Sequence, residues 1–278
     1  MKICLIGNGL TNLVLAKNLV DKKIKVDLYS GIESSDKNSI RTIGITKKNI
    51  EFLKKQFLNI NKLAWPINQI KVYSEFSQDD EIINFSENKN LLFLIVKHQD
   101  IFNLTFNNLK NNKYFEKKII KKNFYKKILN QNEYNLIINS DSKNKFFNNF
   151  FYNKINKNYK TTAYTCILKH KKCMNNSATQ VFSKLGPIAF LPCSSTETSI
   201  VFSILDKNNF QSEKNIKDLI SKYNKKYEIK SFSKFEKFKL KLSIQNNYFY
   251  NNILSFGQNL HQVHPLAGQG FNMTIRDI

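Results

Sequence analysis

Two glycine-bearing bends lie near opposite ends of this chain, and both have the make-up of ligand-holding turns. The first, Gly7-Asn8-Gly9, follows the apolar run Lys2 to Ile6 and precedes Leu10, Leu13, Val14, Ala16 and Leu19, which recur at helical spacing. At such a strand-to-helix turn the missing Cβ lets backbone N–H groups approach a diphosphate at the positive end of the helix. Asn12 stands where the third glycine of a GxGxxG pattern belongs, and Ser30 where an acidic residue would take ribose hydroxyls. A hydroxyl there offers one hydrogen bond without charge assistance. A plain tight turn in an α/β domain is the alternative reading. The second bend closes the segment Gly257 to Asn272: Pro265 with Gly268 and Gly270 turns the backbone so that N–H groups face a ligand, and Phe271 opens a helix.

Other side chains admit two readings each. His261 and His264 have HxxH spacing, but a proline follows and no third ligand is near, so they read as loop residues and no metal is expected. Cys193, after Pro192, is a reactive thiol or a buried packing residue. Phe182, Phe190 and Phe202 line a pocket for an apolar tail or belong to an ordinary core.

The elements that must position these groups start as a βαβ unit: Lys2 to Ile6, the helix from Leu10, and a second strand from the alternation Ile24, Val26, Leu28. A helix is expected over Thr46 to Leu58. Short strands follow at Ile67 to Tyr73, Ile82 to Phe85 and Leu91 to Val96, read as one antiparallel insertion. Asp100 to Leu109 reads as a helix, Lys110 to Lys127 as a polar connection, and Tyr134 to Asn139 as a buried strand. A second sheet is expected from Thr161 to Leu168, Ile188 to Leu191 and Ser199 to Leu205. A helix between Gln211 and Lys230 and a return strand near Tyr248 to Phe256 complete the reading. No repeat or linker separates independent units, so two interleaved lobes are expected.

Composition narrows the class. The 278 residues carry 44 Lys+Arg against 21 Asp+Glu, a formal +23, with enough apolar residues for a packed core. No apolar run approaches the about 20 residues of a spanning helix, and Met1-Lys2 leads into a strand rather than a secretory signal, so a cytoplasmic protein is expected. Four cysteines without a CxxC pair read as reduced thiols. The positive charge is nearly all Lys, with Arg at 41 and 276 alone, which argues against a nucleic-acid partner and leaves an anionic membrane face as a use for it.

The run His264-Pro265-Leu266-Ala267-Gly268-Gln269-Gly270-Phe271-Asn272 resembles the flavin-dependent aromatic hydroxylases of ubiquinone biosynthesis, within the para-hydroxybenzoate hydroxylase superfamily. Further matches are Gly7-x-Gly9, Arg41 in Ile40-Arg41-Thr42-Ile43-Gly44-Ile45, Ala64-Trp65-Pro66-Ile67, Asp141, Gly186-Pro187-Ile188-Ala189-Phe190-Leu191-Pro192, and Ser199-Ile200-Val201-Phe202-Ser203. The resemblance implies an α/β fold: a Rossmann-like FAD domain built discontinuously from residues 1–66, 95–155 and 248–278, and a β-rich substrate domain from 67–94 and 156–247. It implies FAD contacts at Gly7, Gly9, Asn12, Ser30, Arg41, His98, Asp141, Gln258, Pro265, Gly268, Gln269, Gly270, Phe271 and Asn272. Arg41 would lie along the phosphates and ribityl chain, and His98 at a polar flavin contact. Gln258 replaces the family's Asp on the ribityl hydroxyls, and Asp141-Ser142 replaces an Asp-Gly pair. The helix opened by Phe271 would point at the pyrimidine end of the isoalloxazine and stabilise the anion formed on reduction.

The implied reaction is an NAD(P)H- and O2-dependent hydroxylation of a polyprenylated phenol through a flavin 4a-hydroperoxide, with no side-chain acid or base assigned. The tail of that substrate implies peripheral contact with a membrane or a quinone-biosynthesis complex. Because the family continues past the helix at Phe271, a truncated product or partial sequence is expected, lacking helices that close the flavin domain. The alternatives are a non-catalytic remnant or scaffold of such a complex, and another flavin or nicotinamide oxidoreductase.

Overall fold

The computed structural model describes residues 1–31, 40–57, 60–77, 81–86, 91–120, 124–130, 133–142, 144, 146, 149–206, 212–263 and 269–278. The chain opens β1 (Lys2–Ile6), α1 (Leu10–Asp21), β2 (Lys25–Ser30), β3 (Thr42–Thr46), α2 (Lys47–Phe57), β4 (Ala64–Ile67), β5 (Gln69–Ser74) and β6 (Glu81–Ser86). It continues β7 (Phe93–Lys97), α3 (His98–Leu109), β8 (Phe115–Ile119), α4 (Phe124–Asn130), β9 (Leu136–Asn139), β10 (Lys154–His170), β11 (Ser177–Ser183), β12 (Gly186–Pro192) and β13 (Glu197–Leu205). It ends α5 (Glu213–Tyr223), β14 (Ile229–Phe232), β15 (Glu236–Gln245), β16 (Phe249–Tyr250), β17 (Ile253–Ser255), β18 (His261–Gln262) and α6 (Gln269–Asp277).

Three sheets share these strands. The first has the order β16-β17-β9-β1-β2-β8 and is parallel except for the β16–β17 hairpin. Its strands read as continuous apolar runs because helices cover them: Ile3, Leu5, Val26 and Leu28 are buried against Leu13, Ala16 and Val20 of α1. The second, β18-β15-β10-β13-β12-β11-β5-β6 with β14 beside β10, is antiparallel apart from β5–β11, and α5 packs Ile216, Ile220 and Tyr223 onto one face. The third, β3-β7-β4, is a small antiparallel sheet tied to the second by Trp65 Nε1, which donates to the Asn175 carbonyl at 2.6 Å. Among the described residues no helix is long and apolar enough to cross a membrane.

Several sequence expectations are corrected. Ile67 to Tyr73 is two strands in two sheets, broken at Asn68, whose N–H turns away to the Asn176 carbonyl. Likewise β7 pairs with β3 and β4 rather than with β5 and β6, so the three strands of that stretch are not one insertion. The supposed polar connection 110–127 contains β8, whose Lys-rich sequence fits a solvent-facing edge strand. The helix expected over 211–230 ends at Tyr223, where Asn224 caps it, and β14 follows; Gln211 lies outside the described residues. The return strand 248–256 is a hairpin turning at Asn251, which has φ +51.

Candidate functional site

The ends of β17, β9, β1 and β2 form one rim. Phe256 N–H donates to the Asn139 carbonyl at 2.9 Å, Ser140 N–H to Ile6 at 3.0 Å, and Gly7 N–H to Tyr29 at 2.9 Å, so each chain leaves the sheet beside its neighbour. Gly7 has φ +108, and a Cβ there would stand 3.0 Å from Ser140 Oγ and 3.3 Å from Asp141 N, which requires glycine. Gly9 caps the amino end of α1 with ordinary φ, and a Cβ there meets nothing within 4 Å. The helix therefore starts on open space, with no acidic residue in its first turn to oppose an anion. Gly7, Gly9, Ser30 and Asp141 are thus brought together on this rim.

Asn12 answers the missing glycine in a way the sequence did not reveal. It is fully buried under the turn, and its amide donates to the Ile6 carbonyl at 2.9 Å and the Gly7 carbonyl at 2.7 Å. It braces the bend from within.

A turn at Gly257, upstream of the Pro265-to-Gly270 bend, reaches the same rim. Gly257, at φ +62, packs so closely on the first turn of α1 that a Cβ would lie 2.6 Å from Thr11 Cγ2. Around this contact, Asn8 Oδ1, Asn12 Oδ1, Ser255 Oγ, Asn259 Nδ2 and both amide atoms of Gln245 are buried with no hydrogen-bond partner among the described residues. Ser255 pairs with Asn139, and Gln245 N–H donates to the Leu260 carbonyl at 2.9 Å, which places them beside the Gly7 and Gly257 turns. Each such atom costs about 1–3 kcal/mol if left dry, so their concentration marks a place for a polar ligand or ordered water. A ligand rich in hydroxyls and phosphate oxygens fits this set. Gln258 is exposed at the same turn.

A second group forms where the small sheet meets the large one. His98 N–H donates to the Arg41 carbonyl at 2.9 Å. The Arg41 guanidinium lies 4.4 Å from the Phe238 ring and its Nε 3.6 Å from Glu236 Oε2, while Ile40 N–H donates to Glu236 Oε1 at 3.2 Å. Glu236 and Phe238 were missed from sequence, although the strict alternation of β15 could have shown them on one face. Thr165 pairs with Glu236 across β10–β15, and its buried Oγ1 has no hydrogen-bond partner among the described residues.

The third group is α6. Pro265 and Gly268 lie outside the described residues, as does His264; Gln269 is exposed and a Cβ on Gly270 meets nothing within 4 Å. Asn272 is a lock: Oδ1 accepts from Thr46 N–H at 3.1 Å and Asn49 Nδ2 at 2.7 Å, and Nδ2 donates to the Gly44 carbonyl at 2.7 Å. Its side chain is spent on holding α6 to β3 and α2. Phe271 and Ile275 join Leu10, Val14, Ile43 and Ile45 in one core, so α6, β3 and α1 share a foundation.

Among the remaining chemical candidates, Cys193, Phe190 and Phe202 are packing residues. Cys193 lies among Ile67, Ile95 and Ala178, and burial pushes its thiol up to about 12. Phe190 and Phe202 are core under α5, whereas Phe182 is exposed. His261 Nε2 stands 3.5 Å from Asp277 Oδ2, and burial raises the Asp277 carboxyl despite that histidine. Among the described residues no three His, Cys, Asp or Glu side chains cluster as for a metal.

No family profile matches the sequence, and no curated protein matches it. Solved structures do share its fold. PqsL, described as a probable FAD-dependent monooxygenase from Pseudomonas aeruginosa, superposes with a TM-score of 0.76 at 12% identity, over 100% of this chain and 83% of its own. The tetrameric form of 2-methyl-3-hydroxypyridine-5-carboxylic acid oxygenase gives 0.75 at 11%, over 99% and 79%. The p-nitrophenol 4-monooxygenase PnpA from Pseudomonas putida DLL-E4 gives 0.76 at 9%, over 99% and 76%. The chain therefore has the interleaved α/β architecture of para-hydroxybenzoate hydroxylase-type flavin monooxygenases.

Proposed function

We propose that this chain is an FAD-dependent monooxygenase that hydroxylates a polyprenylated phenol in ubiquinone biosynthesis, with NAD(P)H as reductant and O2 as co-substrate. The observation that carries the cofactor reading is the contact of the Gly257 turn with Thr11 in the first turn of α1, ringed by orphaned polar atoms. FAD, when bound, supplies the redox chemistry and the activation of oxygen. The chain's own residues bind and orient. The amino end of α1 and Gly9 receive the diphosphate, Ser30 a ribose hydroxyl, and Asp141, Gln258 and the orphaned amides the ribityl side. Backbone N–H groups at the start of α6, held in place by Asn272, face the ring system. Arg41 and His98 stand where the small sheet meets Glu236 and Phe238.

The phenol is assigned to the face of the large sheet that carries Phe238 and Thr165, with the Thr165 hydroxyl as its hydrogen-bond partner. The cofactor-holding part is taken as residues 1–66, 95–155 and 248–278, the substrate part as 67–94 and 156–247, and the site of action as the cytoplasmic face of a membrane. The test is NAD(P)H oxidation by the FAD-loaded chain with a short-tailed prenylphenol, with mass spectrometry of the product. One added oxygen atom, and a rise in KM in Thr165→Val, are expected. A loaded protein that oxidises NAD(P)H but never oxygenates the ring contradicts the substrate reading and points to another oxidoreductase. A chain without flavin points to a non-catalytic scaffold.

A further inference from the structure

Two apolar strips are exposed among the described residues, and charge separates them. The edge strand β6 shows Ile82, Ile83 and Phe85 beside Phe76, in a stretch that also carries Glu75 and Glu81. The other strip lies where residues 150–155 meet 246–250. Asn246 N–H donates to the Asn153 carbonyl at 3.0 Å, the Phe150 and Tyr250 rings stand 5.2 Å apart, and those of Tyr248 and Phe249 5.8 Å. Tyr152 is 87% exposed and Phe249 67%, far beyond ordinary core aromatics, and Ile155 is exposed too. A cavity of about 410 Å³, floored by Leu129, Phe150, Tyr250 and Ile253, opens beside them. It sits at the start of β17, the opposite end of the parallel sheet from Gly7.

Lysines frame this strip. Lys154 on β10 shares a sheet face with Lys241 of β15, on which Lys237, Lys239 and Lys241 take every second position, whereas Lys157, opposite Leu242, lies on the other face. The sequence has no Asp or Glu in 142–160 or 237–276. Burial and the nearby Lys241 charge both push the Lys154 ammonium below its ordinary value, so cations are crowded here. Amphipathic rings prefer the headgroup layer of a bilayer, and a lysine near an anionic membrane surface is attracted through the same field. Lys suits mobile lipid phosphates as a point charge, whereas base and phosphate readers use Arg forks.

We propose that this face docks onto an anionic phospholipid bilayer, with Tyr152, Tyr248, Phe249 and Tyr250 in the headgroup layer and Lys154, Lys239 and Lys241 on lipid phosphates. The idea deepens the reading of a membrane-soluble substrate, but its test needs neither flavin nor turnover. The full chain is sedimented with phosphatidylcholine vesicles and with vesicles that also contain phosphatidylglycerol. Binding is expected at least about tenfold tighter to the anionic vesicles and falling with salt. The double variants Tyr152→Ser/Phe249→Ser and Lys239→Glu/Lys241→Glu should each lose at least about fivefold, with unchanged circular dichroism. Ile82→Ser/Phe85→Ser on β6 should bind like the parent. A Phe249→Trp variant gives a second readout, a blue shift of the added emission on anionic vesicles. Equal binding to both vesicle types, no loss in the surface variants, dispersal of a dimer by Phe249→Ser, or tighter binding to single-stranded RNA would each overturn the proposal. A chain that takes up no FAD yet passes this test keeps the docking face and loses the enzymatic reading.

Discussion

Asp27 shows how one residue is read from its neighbours rather than from its type. On β2 it faces away from α1, 5% exposed at the side chain, and accepts from Lys118 Nζ at 2.7 Å, Tyr134 OH at 2.5 Å and Lys2 Nζ at 3.0 Å. Burial alone would raise its carboxyl, but the hydrogen bonds from Lys118, Tyr134 and Lys2 outweigh it and hold the group below the ordinary 3.8. A carboxyl lowered on folding contributes its stability above 3.8 and loses it as pH falls through the folded value. Asp27→Asn is expected to cost about 3 kcal/mol at neutral pH, measured by urea unfolding, and the gap between parent and variant should close below pH 3.8. A gap that persists in acid would show that the charge is not what stabilises this cluster. Asn272→Leu keeps the volume but strands Gly44 O and Thr46 N–H and takes one of the two acceptors of Asn49 Nδ2, so a loss of about 2–4 kcal/mol is expected in the same assay. A loss of a few tenths would mean α6 is held by its apolar face alone.

Among the elements, those with one strong period were legible and those at edges were not. The βαβ start stands where the apolar spacing of Ile3 to Leu28 puts it, because a covered parallel sheet demands apolar strands and a one-sided helix. Strand β8 was hidden, since an edge strand in solvent carries lysines as a loop does. Strand β15 was overlooked although Lys237, Lys239 and Lys241 alternate with Phe238, Leu240 and Leu242, and with it went the partners of Arg41. The structural use of Asn272 was also illegible, because its bonds reach residues 44 to 49, more than two hundred positions away. The contact between the Gly257 turn and α1 is testable at this scale. Gly257→Ala adds a Cβ at positive φ against Thr11 Cγ2, a cost of about 1–3 kcal/mol. Thr11→Ser, which removes Cγ2, should recover part of it in a double-mutant cycle. Strict additivity of the two substitutions would place Gly257 apart from Thr11.

At the scale of the molecule, the rim of the parallel sheet is met by the Gly257 turn and by Gln245 of the large sheet, and the proposed enzyme requires FAD to bind along that rim. Gly9 offers a clean probe: its φ is ordinary and a Cβ meets nothing within 4 Å, so Gly9→Val leaves the protein fold intact while filling the space in front of α1. The most direct measurement is a titration of the purified chain with FAD, followed by flavin fluorescence and the visible spectrum, for the parent and for Gly9→Val with matched circular dichroism. Saturable uptake of one FAD per chain by the parent, and its loss in Gly9→Val, is the expected result. A folded parent that takes up no FAD, or a Gly9→Val variant that binds it equally well, would contradict the account.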